Sequence, residues 1–92
     1  MNEKMHEWSI VDDIVAFYLY KYSTKEINYS YNEISNKLGM SKGSLRMRKA
    51  MYSYLDKNVG LSKLTNQTIQ VYECLKDLDS REFREIIEEL LA

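Results

Sequence analysis

Residues 33–45, Glu-Ile-Ser-Asn-Lys-Leu-Gly-Met-Ser-Lys-Gly-Ser-Leu, leave the chain few ways to fold. Ile34 and Leu38 are spaced i, i+4 and share one face of a helix. Gly39 follows where a left-handed residue ends a helix, and Ser41 is placed to cap a new one starting near Lys42. Two helices joined so briefly must cross at close quarters. Ser35, four residues before the glycine, is small enough to permit that approach. Ile34, Leu38 and Met40 fill the wedge between the helices, and Leu45 anchors the second one from below.

Helices are expected on both sides of this unit. Ser9 with Asp12 forms a capping-box-like start, and Val11, Ile14, Val15, Tyr18, Leu19 and Tyr22 then recur at helical spacing as a core stripe. Residues 23–28 read as a connection, and Ser30 with Glu33 makes a second capping box before the short helix that ends at Leu38. The helix from Lys42 runs through Leu45, Tyr52 and Leu55, with Met51 beside them. Charge interrupts its apolar stripe at Arg48 or Lys49, whose stems would cover apolar surface while the heads stay wet. Residues 58–64 read as a loop. A fourth helix is expected over 66–78 with Val71, Cys74, Leu75 and Leu78 inward. Asp79 or Ser80 caps a strongly amphipathic C-terminal helix over 80–92. The expected fold is an all-α domain of four or five helices built on the helix-turn-helix, spanning 1–92 after a flexible tail over 1–8. The alternating, β-branched Thr68–Tyr72 stretch leaves a winged helix with a short strand near 68–72 as the second architecture.

Composition narrows the function. Absence of proline, with only three glycines, favours long helices. Cys74 is the sole cysteine, so no internal disulfide is available and a reducing, cytoplasmic setting is expected. His6, the sole histidine, lies in the polar N-terminal tail and reads as a surface residue. No apolar run approaches the roughly 18 residues of a membrane span, and no targeting segment is expected. Nucleophile–base pairings, metal-ligand spacings and phosphate-cradling glycine loops do not stand out. The expectation is a non-enzymatic protein with no cofactor, no metal, no membrane and no small-molecule substrate.

Net charge is −1, but it is unevenly placed. Residues 1–36 hold three bases and six acids, 37–63 seven bases and one acid, and 64–92 three bases and seven acids. The basic middle coincides with the second helix of the motif, the one that enters the DNA major groove in such units. Lys42, Ser44, Arg46 and Met47 would project from its early turns, and Gly43 would let backbone approach DNA closely. Arg46 suits guanine and is the foremost base reader, while Arg48, Lys49 and Lys42 suit phosphates. Duplex DNA is the expected partner ahead of single strands. The bland alternative is a solvated helix face. Tyr29, Tyr31 and Tyr54 are candidates for stacking on single-stranded bases, against ordinary packing or solvent contact.

Residues 33–45 resemble the generic bacterial helix-turn-helix pattern. A narrower resemblance runs over about 8–75. Trp8 before an acid-capped helix, the motif, an arginine-rich helix ending in Leu55-Asp56, and Gly60-Leu61 resemble the N-terminal helical domain that precedes nuclease domains in restriction-type endonucleases of bacteria and mobile elements. Lys49 and Met51 depart from that family's usual apolar residue and Asn, and the nuclease domain itself is missing. The resemblance implies target binding or recruitment without cutting. The role is then a regulator or a DNA-facing accessory subunit of a mobile-element enzyme. A rival is a module that docks a polymerase, helicase or nuclease subunit, or a second copy, through Phe17 and Tyr20 or through the C-terminal stripe of Phe83, Ile87, Leu90 and Leu91. That stripe has a plainer use as cover for the core.

Overall fold

A computed structural model describes residues 7–57 and 65–92. Five helices make up an all-α globule with no strand among the described residues: α1 (Ile10–Tyr22), α2 (Tyr31–Leu38), α3 (Lys42–Lys57), α4 (Asn66–Leu75) and α5 (Ser80–Leu91). The expected loop over 58–64, with Gly60 and Leu61, and the tail over 1–6 with His6, lie outside the described residues.

Local chemistry fixes the helix starts. Ser9 and Asp12 exchange hydrogen bonds at 3.0 and 3.1 Å, and Ser30 and Glu33 do the same at 2.8 and 3.0 Å. Both are complete capping boxes. Thr65 accepts from the Thr68 amide to start α4, and Asp79 accepts from the amides of Arg81 and Glu82 to start α5. Gly39 ends α2 with φ +73°, the left-handed geometry that glycine adopts without steric cost.

Helix α1 is the hub, packing against α3, α4 and α5, while α2 leans on α3. Val15, Tyr18 and Leu19 of the expected stripe are buried, but so are Ala16 and Phe17 on the other side. Phe17 sits at the centre of an aromatic cluster, with ring centroids 4.9 Å from Tyr52, 5.5 Å from Tyr72 and 5.8 Å from Phe83. It is fully buried, which corrects its assignment to a partner surface; three helices surround α1, so few of its faces remain free. Phe83, Ile87 and Leu91 are likewise core residues, spaced i, i+4, i+8 along the face of α5 that meets the rest of the domain. Residues 68–72 are helical, not a strand, since the Thr65 cap launches a turn that buries Thr68 and Val71 together. Helix α4 stops at Leu75, short of the expected Leu78. Cys74 points outward because Leu75, four residues beyond Val71, takes the inward position.

A charged node is buried beneath these apolar layers. Asp13 of α1 is fully inaccessible. Its carboxylate accepts from the Tyr52 hydroxyl at 2.7 Å and from the Gln67 amide at 2.6 Å, and pairs with Arg48 Nε at 3.1 Å. Arg48 Nε lies close to the carboxylate but off the hydrogen-bond line, and it has no other acceptor, so charge attraction holds this pair. The guanidinium carbon lies 4.2 Å from the centroid of the Trp8 ring, and the Trp8 carbonyl accepts from Gln67 at 2.9 Å. Residues from α3 and α4 thus converge on one carboxylate of α1, and Trp8, ahead of α1, holds two of them.

Removing Asp13 strands a buried guanidinium, a phenol and an amide at once. Asp13→Ala is expected to cost about 3–5 kcal/mol, visible as a large fall in the urea midpoint. Burial, and secondarily the bond to Asp13, pushes the Tyr52 hydroxyl well above the ordinary tyrosine value. A raised folded-state value means stability is intact below the unfolded tyrosine value near 10 and is lost as pH climbs beyond it, by up to about 1.4 kcal/mol per pH unit. Tyr52→Phe should flatten that alkaline decline in urea titrations at successive pH values, while lowering stability at neutral pH.

Candidate nucleic-acid interface

The inward stripe of α3 is Leu45, Arg48, Tyr52 and Leu55, spaced i, i+3, i+7, i+10. Because Asp13 draws Arg48 into this stripe, the helix presents its opposite side to solvent. Lys42, Gly43, Arg46 and Met47 are exposed there, with Met47 at 68%. Ser44 and Lys49 sit half-buried at the two margins. The Ser41 hydroxyl oxygen accepts from the Ser44 amide at 3.0 Å, which supplies the expected cap of α3. Arg48 is 7% exposed and committed to Asp13. It is therefore withdrawn from the phosphate-contacting set: its head is not wet, because a buried carboxylate offers a stronger partner than the helix flank does.

No acid among the described residues forms an ion pair with the outward cations. Among the described residues the ion pairs are Arg48–Asp13, Lys76–Glu73 and Arg84–Glu26, and none involves Lys42, Arg46 or Lys49. The one acid in the basic segment, Asp56, lies at the far end of α3, about 15 Å along the axis from Arg46. It is also engaged: the hydroxyls of Tyr20 and Tyr72 donate to its two oxygens at 2.8 and 3.2 Å. Burial, followed by that hydrogen bond, raises both tyrosines above their usual range. Tyr20 is thus half-buried and bonded across to α3, with little of it left as free surface.

Lys49 extends over the ring of Tyr31, with Nζ 4.8 Å from the centroid. Partial burial, then repulsion from Arg46, lowers its affinity for a proton. Two cations crowded on one side without a counter-charge form a site that an anion would relieve. Beneath them the Tyr31 hydroxyl is buried with no hydrogen-bond partner among the described residues. Tyr29 is half-buried under Lys37, and Tyr54 is exposed on α3. The three tyrosines considered for stacking are therefore spread over separate surroundings and make no common platform.

Sequence reasoning named the outward residues of α3 but missed the inward partner. The signal was present: Arg48 falls three residues after Leu45 and four before Tyr52, an inward position where a cation needs a buried acid. Two adjacent acids, Asp12 and Asp13, stand at the start of α1. Only packing selects Asp13, since Asp12 is taken by the Ser9 cap. Half-buried Ala50, which lines the groove beside Met47, was also missed for want of any charge or polarity to draw attention to it.

Compared with family models, curated proteins and solved structures, the chain matches none of them. No helix among the described residues is long and apolar enough to cross a membrane.

The orphaned Tyr31 hydroxyl gives a direct check on this surface. An unsatisfied buried polar group costs about 1–3 kcal/mol. Tyr31→Phe keeps the ring under Lys49 and removes that cost, so its melting temperature should rise above that of the parent protein. A fall would mean that the hydroxyl has a partner in solution.

Proposed function

We propose that this is a small, non-enzymatic DNA-binding protein that lays the outward face of α3 in the major groove of duplex DNA. The observation that carries the reading is the shared exposure of Lys42, Gly43, Arg46 and Met47 on one helix face, its cations in no ion pair among the described residues. Lys42 and Lys49 flank that face and would bind phosphates, which set position without reading sequence. Arg46 is centred on it and would pair with guanine, and Ser44 would assist at the N-terminal margin. Arg48 acts one step removed, holding α3 in the orientation that points Arg46 outward.

Support for an accessory role comes from the resemblance to the helical domain found before nuclease domains. Its marker Trp8 here covers the Arg48 guanidinium, and its Arg-rich helix is α3. A regulator, or the DNA-facing subunit of a mobile-element enzyme, fits such a chain.

A second reading has its own observation. Ile86 and Leu90 on the outer side of α5 are 38% and 36% exposed, with Glu82, Glu85 and Glu89 among them. This edge, rather than Phe83, Ile87 or Leu91, is where a protein subunit would dock. Like charges along it oppose symmetric α5–α5 pairing of two copies.

Arg46→Glu together with Lys42→Glu should abolish duplex binding in a gel-shift titration and leave the helical circular dichroism and melting temperature unchanged. Arg48 is unsuitable for that test because its loss disturbs the core. If Lys42 and Lys49 meet phosphates, log affinity should fall with log salt at a slope of roughly −1.8, about a 12-fold loss between 50 and 200 mM. Salt-independent retention, or full binding by the double variant, would transfer the function to the α5 edge.

A further inference from the structure

We infer that α3 reads thymine through its 5-methyl group, with Met47 as the specificity-determining side chain and Gly43 and Ala50 as the low walls that admit the base edge. The inference rests on the duplex-binding reading and names the base pair which that site selects.

Gly43, Met47 and Ala50 are spaced i, i+4, i+7 and form one outward stripe. With Arg46 they line a shallow groove of about 450 Å³. Met47 is the most exposed of the large apolar side chains described, at 68%. The groove's lining therefore offers carbon, one sulfur and one guanidinium, and nothing else that donates or accepts strongly from a side chain. Arg46 lines one edge, and Lys42 is exposed on that same side of the helix, so its occupant is anionic at one edge and apolar at the centre.

The major groove of DNA has that composition at one kind of base pair. Guanine, cytosine and adenine present donors and acceptors there, whereas thymine adds a methyl group. A methionine flanked by glycine and alanine cannot satisfy an amino group or a carbonyl, and would leave either one desolvated and unpaired. It can cover a methyl. Arg46, beside Met47 in the same groove, takes guanine, so the preferred element is a guanine next to a thymine.

Gly43 supplies an independent observation. Its backbone is not in the left-handed region, and a Cβ placed on it would meet only the Ser41 hydroxyl, at an ordinary 3.8 Å. Neither local conformation nor packing within the domain requires glycine there, although glycine in a helix costs up to about 1 kcal/mol relative to alanine. The missing side chain makes room for something outside the domain, on the same stripe as Met47.

The test uses the full chain and a pool of random-sequence duplexes. Sequences enriched by binding are resynthesised with deoxyuridine in place of thymidine at each position in turn, which removes the methyl and nothing else. At one or two central positions the affinity should fall about fourfold per methyl lost. Met47→Ala should bind the thymidine and deoxyuridine duplexes equally, and Arg46→Ala should weaken both while keeping their ratio. Both residues are exposed, so melting temperatures should stay at the parent value. Duplex binding with no thymidine preference at any position would overturn the methyl inference and leave the DNA-binding reading standing. No enrichment and no duplex binding at low salt would overturn both.

Discussion

The carboxylate of Asp13 decides how this domain is put together. It has no access to water, and its charge is balanced by Arg48 from α3 and by hydrogen bonds from Tyr52 and Gln67. An ion pair buried this deeply adds little net stability, since desolvation offsets most of the attraction. Its strength lies in what it forbids. Any rotation of α3 about its axis that takes Arg48 away from Asp13 leaves a bare charge in the core. An apolar stripe alone would tolerate such slippage better, because Leu45, Tyr52 and Leu55 make nondirectional contacts. The node therefore sets the azimuth of α3, and with it the identity of the residues that face solvent.

That constraint links the interior to the surface. With Arg48 turned in, Lys42, Gly43, Arg46 and Met47 are turned out, and among the described residues no ion pair engages the cations on that face. Asp56 is held at the other end of the same helix by two tyrosines, one from α1 and one from α4, which keeps negative charge away from the exposed turns. Acids that balance the chain's net charge cluster instead on α5, around Ile86 and Leu90. The domain thus has a basic side on α3 and an acidic, partly apolar side on α5.

Trp8 gains a physical reading from the same node. Trp8 reads from sequence as an isolated marker ahead of the first helix. In the fold its ring lies against the Arg48 guanidinium and its carbonyl holds Gln67, so it closes the top of the charged cluster. A tryptophan, an acid at the start of α1 and an arginine in the basic helix act as one unit, and their spacing along the chain reflects α1, α3 and the segment before α1 meeting at a point.

Much of the helical layout was legible in the residues alone. Capping boxes at Ser9 and Ser30, the left-handed Gly39, the Ser41 cap and the limits of α3 depend on interactions within a few residues, which sequence displays directly. Likewise the charge division, and the place of Lys42, Arg46 and Met47 on early turns of one helix, followed from spacing. Tertiary structure decided the rest. It buried Phe17 on all sides, made Phe83, Ile87 and Leu91 core rather than interface, turned Cys74 outward and drew Arg48 inward. Each of these depends on which distant side chain fills the space opposite. Periodicity shows that a helix has faces, but only the partner that packs against it, here a carboxylate 35 residues away, determines which face is hidden.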